Sequence, residues 1–409
     1  MRICLAQTRS IKGAIEANLA KHLKFVKRAI AEKVDLIIFP ELSLSNYEPA
    51  LASNLACDPK TPIFNSLQQL SDQSGICIGA GMPVNTEDGV AIGMLLFQAN
   101  KERKFYAKQM LHANELPYFC AGKTQTYLHI KQHKIALAIC FEAVQQDHFL
   151  NACNGGAQLY IASVSKERSG MKHASKCFEK MARTQGIPVL VSNGIGQCDQ
   201  FMSSGSSAAW NNKGEQLKKL SETDEGILIY DLKHEEVVSK TWGITPGKAA
   251  DLDEVLCVYR EARQALEEKG VFQWTDRYPT PQLIEADLKS GMLHLLRENG
   301  VVVGGIHLSS NQEKEYASVN WQFNSNKVLV IHRLVVSPRH QRKGFASEMM
   351  DFAEAFAQEE NYTSIRLDAY SQNSGVLELY CKRDYYKRGE IRFPGRENVF
   401  HCLEKVVES

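Results

Sequence analysis

The 409-residue sequence lacks a bulk charge of either sign: 48 Lys and Arg stand against 47 Asp and Glu, a formal net charge of +1. That balance gives no electrostatic reason to expect nucleic acid or a membrane surface as partner, and it points to small molecules instead. Long hydrophobic runs are missing too. Stretches such as IALAICF fall far short of the roughly 18 residues that span a bilayer, and the opening MRICLAQTRS reads as a short strand without the apolar core of a signal peptide. The eleven cysteines form no CxxC pair and no Cys/His spacing of a zinc site. Most fall in apolar strand or helix patterns (Cys4, Cys77, Cys140, Cys257), the usage expected of a reducing cytoplasm. Repeats and low-complexity segments are absent as well. With 44% hydrophobic and 23% charged residues, the chain reads as an ordinary soluble globular protein, long for one core and comfortable for two.

Two patterns follow one another along the chain. Up to residue 235, short aliphatic runs (RICLAQ, DLIIFPE, ICIGAGMPV, AIGMLLF, KIALAIC, QLYIASVS, PVLVSNGIG, GILIYDL) alternate with helical stretches. One of these, NLAKHLKFVKRAIAEK, places Leu19, Leu23, Val26 and Ile30 on one face. The alternation predicts a layered α/β domain. Around WGITPGKAADLDEV a Thr-Pro-Gly turn precedes a new helix start. From there the order is helix 251–269, helix 280–291, strands 292–299 and 301–310 across the turn ENG, strand 328–336, helix 344–359, strand 364–370, helix 375–383 and closing strands. The predicted domains are 1–240 and 241–409.

Three reactive side chains of the first domain stand at strand ends: Glu41 after IIFP, Lys108 after KFYA and Cys140 at the end of KIALAIC. A thiol at a strand end leaves the sheet edge, where a neighbouring base can convert it to the nucleophilic thiolate. Three such ends can converge on one pocket. With FPELSLSNY around Glu41, YAKQMLH around Lys108, LPYFCAG, KIALAICFE around Cys140, GAQLYIASVS and SSGSSAAWNNKGEQL, residues 1–235 resemble the nitrilase or carbon-nitrogen hydrolase superfamily. The resemblance implies an αββα sandwich that acts on a small-molecule amide without a metal and assembles as a homodimer or higher homo-oligomer. It makes Glu41 the general base, Cys140 the nucleophile that forms a thioester acyl-enzyme, and Lys108, with the backbone N–H after Cys140, the oxyanion partner. Glu115 in HANELPYF is the candidate second glutamate. Glu142 either orients the lysine or faces the substrate, and His112 belongs to the same loop as a structural or substrate-lining residue. Specificity is expected from loops 45–62 and 112–127.

In the second domain the strand VLVIHRLVV stops at Ser337-Pro338, and a basic turn enters the helix GFASEMMDFAEAFAQ. A turn that feeds a helix N-terminus presents free N–H groups and the positive end of the helix dipole, which favour phosphate. Gly344 permits close approach, while Arg339, Arg342 and Lys343 add positive charge. The run Gln341-Arg342-Lys343-Gly344-Phe345-Ala346 after VVSP resembles the Q/R-x-x-G-x-G/A motif of the GNAT family of N-acetyltransferases, with Ala346 at the last position. The likeness spans about 242–409 and implies an α+β acetyltransferase fold, with acetyl-CoA as acetyl donor and an amine as acceptor. It assigns Leu334, Val335 and Val336 of the strand and residues 341–346 of the turn to the cofactor, Asn373 to its pantetheine arm, and Tyr380 to protonation of the departing thiolate. Asp384-Tyr385 replace the usual Gly-Phe. His332, Glu285 and Asp287 remain alternative bases for the amine.

The sequence therefore reads as a bifunctional enzyme in which an amidohydrolase is joined to an acetyltransferase. Two other readings stay open. In one the second domain only senses acetyl-CoA and regulates the hydrolase; in the other the first domain passes its acyl group to a nucleophile other than water.

Overall fold

The computed structural model describes residues 1–275, 278–323 and 327–407. Its contacts divide it into two compact units, Met1–Thr241 and Trp242–Ser409. The first half of the first unit contains β1 (Arg2–Gln7), α1 (Ile15–Ala31), β2 (Leu36–Ile38), a short α2 (Ala52–Leu55), α3 (Asn65–Ser74), β3 (Cys77–Thr86), β4 (Gly89–Phe97) and β5 (Lys104–Ala107). Then come β6 (Tyr127–Ile130), β7 (His133–Ile139), α4 (Gln146–Asn154), β8 (Leu159–Val164), α5 (Arg168–Gln185) and β9 (Val189–Asn193). The hairpin β10 (Ile195–Cys198) and β11 (Phe201–Ser204) leads to β12 (Ala208–Trp210), β13 (Gln216–Lys219) and β14 (Glu225–Asp231).

These strands make two sheets. One is ordered β14-β1-β2-β3-β4-β5, with β1, β2 and β3 parallel. The other is ordered β13-β12-β9-β8-β7-β6, with β7, β8 and β9 parallel. Side chains alternate along each strand, so Ile3 and Leu5 of one sheet share a core with Leu137, Ile161 and Leu190 of the other. On the far side of the second sheet, Ala138, Tyr160 and Val191 pack under Phe149 of α4 and Phe178 of α5. Helices α1 and α3 pack together, and α3 lies on β3 and β4. The result is an αββα sandwich. Two serine hydroxyls tie the sheets near their strand ends, Ser163 to the Phe39 carbonyl at 2.8 Å and Ser192 to the Ala6 carbonyl at 2.6 Å. No helix among the described residues is long and apolar enough to cross a membrane.

The second unit is α+β. It contains residues 242–246 of β15 (Glu236–Pro246), α6 (Leu252–Glu267), α7 (Pro281–Lys289), β16 (Leu293–Glu298), β17 (Val301–Ser309) and β18 (Val328–Val336). It continues with α8 (Phe345–Glu359), β19 (Ser364–Tyr370), α9 (Ser374–Cys381), β20 (Tyr386–Ile391) and β21 (Phe400–Val406). The sheet order is β15-β16-β17-β18-β19-β21-β20, antiparallel except for β18 against β19. Val255 and Tyr259 of α6 and Ile284 of α7 bury one face against Leu293, Leu295 and Val335. Cys257, read from its pattern as interior, is exposed on α6.

Two features of β18 shape this unit. Its pairing with β19 runs from Val328↔Ser364 to Ile331↔Leu367 and then stops. On the other side it carries a bulge against β17 between the pairs His307↔His332 and Gly305↔Val335, with Arg333 in the left-handed region at φ 51°. A bulge bends the strand and re-aims its side chains, and β18 and β19 separate beyond it.

Candidate functional site

In the first unit the ends of β2, β5 and β7 bring Glu41, Lys108 and Cys140 together, with Glu115 joining from the loop after β5. The Lys108 ammonium is fully buried and donates to Glu41 Oε1 at 2.8 Å and to Glu115 Oε1 at 2.6 Å. An ammonium has three N–H groups, so one is left for another acceptor. The two carboxylates differ sharply in their partners. Both oxygens of Glu115 are engaged, because it also accepts from the Tyr47 hydroxyl at 3.0 Å and from the His112 backbone N–H at 2.7 Å. Glu41 keeps one oxygen, Oε2, buried with no hydrogen-bond partner among the described residues.

Cys140 sits in the left-handed region at φ 50°, a conformation that costs a non-glycine residue free energy and persists where the surroundings enforce it. Its N–H donates to the Ser163 carbonyl at 3.0 Å, and its thiol points to the Ser165 carbonyl, 3.7 Å away. The turn behind it is held by Glu142, whose buried carboxylate accepts from Ile139 N–H at 2.8 Å, Gln109 N–H at 2.6 Å, Met110 N–H at 3.1 Å and Tyr106 hydroxyl at 2.6 Å. Of the two possibilities open for Glu142, this is the positioning one. It pins the chain just after Lys108 to the turn that carries Cys140, and four donors occupy its two oxygens. His112 lies on the surface with its ring edge against Phe141, at 5.3 Å between centroids.

The electrostatics follow from burial. Burial raises the Glu41 carboxyl above the ordinary range; Lys108 opposes this and Glu115 adds to it. Burial also pushes the Cys140 thiol up to about 11, helped by Glu41 and opposed by Lys166 and Lys108. The resting sulfur is therefore a thiol. Burial disfavours the Lys108 ammonium, yet Glu41, Cys140 and Glu115 together hold its pKa above the ordinary lysine value.

Two residues of this site escaped the sequence reading. Tyr47 lies within FPELSLSNY, but its bond to Glu115 depends on loops far apart in sequence. Gly81 of β3 is the other, since a Cβ there would come within 2.2 Å of the Leu42 nitrogen and 2.7 Å of the Pro40 carbonyl oxygen. Both of those neighbours are backbone, so the Glu41 turn would have to move. Gly81→Ala is expected to lower kcat for this site by about 100-fold, the scale set by an ångström-sized misplacement, while the protein still unfolds cooperatively by calorimetry.

In the second unit the separated ends of β18 and β19 open a cavity of about 260 Å³ lined by His332, Arg333, Leu334, Asp368 and Tyr380, among others. Leu334 thus stands on the bulge, at the cavity wall. At the basic turn Gly344 takes φ 85° at the start of α8, with no side-chain cap on the helix and no atom within 4 Å of a Cβ built there. The backbone is open to an anion on that side. Arg342 is left-handed at φ 63°, and Lys343 and Arg339 pair with Glu298 at 3.0 Å and Glu261 at 3.3 Å. Gln341 donates to the Val336 carbonyl at 3.3 Å, Phe345 is buried in the core, and Ala346 is half-buried.

Other expected residues are placed differently. Asn373 caps α9 and donates to Gln273 at 2.8 Å, so its amide is engaged within the protein. Glu285 pairs with Lys289 on the exposed face of α7, away from the cavity. Asp287 is committed to Arg333 at 2.6 Å and His307 at 3.3 Å. His332 does line the cavity, but burial lowers its imidazole to about 4 and Nε2 is 3.1 Å from the Asn311 carbonyl. Two carboxylates line the cavity, Asp368 and Glu313, and the sequence reading missed both. Asp368 lies inside the strand SIRLDAY, with Ala369 and Tyr370 still paired beyond it, so its position carried no strand-end signal of the kind that singled out Glu41. Among the described residues, no group of three or more His, Cys, Asp or Glu is placed to hold a metal ion.

Comparison with known proteins accords with both halves. A carbon-nitrogen hydrolase family model matches residues 2–240. The chain belongs to the carbon-nitrogen hydrolase family. An acetyltransferase (GNAT) family model matches residues 258–385, so this hydrolase carries a GNAT domain behind it. The chain is 24% identical over 274 residues to a glutamine-dependent NAD(+) synthetase of Synechocystis, covering 60% of this chain and 49% of that one. It is 23% identical over 228 residues to a probable nitrilase of Schizosaccharomyces pombe, covering 53% and 82%. The chain spans about half the length of the curated synthetases it matches. Among solved structures, the hydrolase fold is shared with an amidase variant from Nesterenkonia sp. AN1 carrying acrylamide added at its active-site cysteine, at TM-score 0.51, 20% identity and coverage of 57% and 93%. A glutamine-dependent NAD+ synthetase from Acinetobacter baumannii aligns at TM-score 0.50 and 21% identity, with coverage of 58% and 46%.

Proposed function

We propose that this carbon-nitrogen hydrolase cleaves the C–N bond of a small carboxamide through a thioester on Cys140, and that its GNAT domain acetylates an amine from acetyl-CoA. The two functional domains are taken as 1–240 and 241–409. The observation that carries the first half is the asymmetry between the carboxylates: both oxygens of Glu115 are hydrogen-bonded, whereas Glu41 keeps a buried oxygen with no partner found for it among the described residues, beside the Cys140 thiol.

Glu41 takes the thiol proton as sulfur attacks the carbonyl carbon. The oxyanion is held by the spare N–H of Lys108 and the backbone N–H of Phe141. The C–N bond then breaks as Glu41 returns its proton to the departing nitrogen, which leaves the acyl group on sulfur. Glu41 next deprotonates water, which attacks the thioester; the C–S bond breaks, the carboxylic acid leaves and the thiol regains its proton. Glu115 and Glu142 act as positioning residues. The glutamine-dependent relatives and the structural likeness to an amidase with a reactive cysteine make primary carboxamides the class to test first.

In the second half, acetyl-CoA supplies the acetyl group. The open backbone at Gly344 and the uncapped start of α8 suit its pyrophosphate, the bulge at Leu334 suits its acyl arm, and the presence of Tyr380 in the cavity lining supports it as the proton donor to the thiolate.

The test of the hydrolase is a screen of carboxamides for ammonia release by the full-length protein, followed by acid quenching and mass spectrometry of the Cys140 peptide. An acyl adduct on Cys140 is expected, and Cys140→Ala is expected to lose both the adduct and ammonia release while its melting temperature stays close to that of the wild type. Ammonia release by Cys140→Ala at the wild-type rate would remove Cys140 from the mechanism.

A further inference from the structure

The walls of the cavity in the second unit say what kind of amine it takes. Where β18 and β19 part, Asp368 is the first β19 residue beyond the last pair, Ile331↔Leu367. Its Oδ1 accepts from the Tyr316 hydroxyl at 2.8 Å, a neutral donor that adds no positive charge. Glu313 lines the same cavity. The cations nearby do not cancel this pair. Arg333 is spent on Asp287 at 2.6 Å and on the Tyr278 hydroxyl at 3.3 Å, and His332 is neutral because it is buried. Arg396 sits on the loop between β20 and β21, with its guanidinium on the Phe272 carbonyl at 3.3 Å. Counting the lining charges together with Asp287 behind Arg333, three carboxylates face two guanidinium groups, a net of −1. Much of the remaining wall is aromatic, with Trp274, Tyr278, Tyr380, Phe393 and Phe400. Acidic groups inside an aromatic wall favour a cation with an apolar body and repel a carboxylate.

We propose that this cavity is the acceptor site for a small aliphatic amine that enters as its ammonium ion, with Asp368 as its base and Glu313 as a second anchor. The proposal rests on the reading of this unit as an acetyl-CoA-dependent acetyltransferase. Burial raises the Asp368 carboxyl to about 6, with Glu313 adding to the rise, which makes it a stronger base than an ordinary carboxylate while leaving it mostly ionised at pH 7. In the transfer, one ammonium proton goes to Asp368, the nitrogen lone pair forms the C–N bond, the C–S bond of the thioester breaks with its electrons on sulfur, and a second nitrogen proton reaches the thiolate.

The experiment uses the full chain. Calorimetric titration with acetyl-CoA comes first, on the wild type and on Asp368→Asn, and equal affinity is expected because the turn at 341–346 is untouched. If the wild type does not bind acetyl-CoA, the acetyltransferase reading falls and this proposal with it. Release of coenzyme A is then followed with butylamine and with γ-aminobutyrate, which adds a carboxylate to a chain of similar length. Butylamine is expected to have a kcat/KM at least about tenfold higher, since like charges in a partly dry site repel. Asp368→Asn is expected to lose about 100-fold in kcat/KM for butylamine, the usual scale for a removed base. It is also expected to bind butylamine more weakly when loaded with coenzyme A, whereas Glu313→Gln raises KM more than it lowers kcat. Equal use of γ-aminobutyrate, an unchanged Asp368→Asn, or failure of the acetyl-CoA-binding protein to bind or acetylate butylamine each overturns the assignment.

Discussion

Lys108→Met is expected to lower the stability of the hydrolase unit by about 3–5 kcal/mol, the cost of removing one partner from a buried ion pair, and to abolish most amide hydrolysis at the same time. In the wild type one ammonium lies between two carboxylates at 2.8 and 2.6 Å, a formal charge of −1 for the group. Methionine fills the space but leaves −2 in a site sealed from water. The variant must then take up a proton at one carboxylate or admit solvent, and either route costs stability. The melting temperature is expected to fall by roughly 10 °C for a unit of this size. The loss should be smaller at pH 5 than at pH 8, because protonation of a carboxylate relieves the repulsion. Adding Glu115→Gln to Lys108→Met should recover part of the stability and none of the activity, since the oxyanion partner stays missing and such a donor is worth about 100-fold or more in rate. A single variant as stable as the wild type would show that the two carboxylates are not both ionised beside Lys108 in the folded protein.

The legibility of this protein in its sequence was uneven, for a physical reason. Strand ends are local features: Glu41 and Cys140 end aliphatic runs and Lys108 follows the strand-like KFYA, patterns that declare themselves within a few residues. The same holds for β18, β19 and α8, whose alternation or helical period is strong. What sequence reading could not supply is who meets whom across layers. The hydrogen bond from Tyr47 to Glu115, the approach of Gly81 to the backbone around Glu41, and the use of Glu142 as a clamp on Gln109 and Met110 all join segments dozens of residues apart. Helix α4 was not singled out at all; it has nine residues and no side-chain cap, too little to stand out as a period. In the second unit Glu285 lies mid-helix and Asp368 lies within a strand, so neither position marks a site by itself. Only the ending of the β18–β19 pairing decides that one faces a cavity while the other pairs with Lys289 in solvent.

Glu41→Gln is expected to act in the opposite sense on stability while costing as much activity. The Glu41 carboxyl is raised above its ordinary value of 4.5 by burial, more than Lys108 offsets. A carboxyl with a raised folded-state pKa contributes stability that is fully present below its unfolded pKa and is lost as pH rises through the folded one. At pH 7 its ionisation is therefore a cost, and glutamine removes that cost and leaves a neutral trio with Lys108 and Glu115. The melting temperature of Glu41→Gln at pH 7 is expected to equal or exceed that of the wild type, with the difference shrinking as pH falls toward 4. Hydrolysis should fall by about 100-fold to 10,000-fold, the range for a lost general base. The wild-type rate should also decline as pH drops through the raised Glu41 pKa, and the variant should lack that limb. Because Cys140 is pushed up to about 11, alkylation of the wild-type thiol by iodoacetamide is expected to be slow at pH 7 and to climb toward pH 11. Rapid alkylation that is flat between pH 6 and 8 would mean a preformed thiolate, and Glu41 would then have no proton to take.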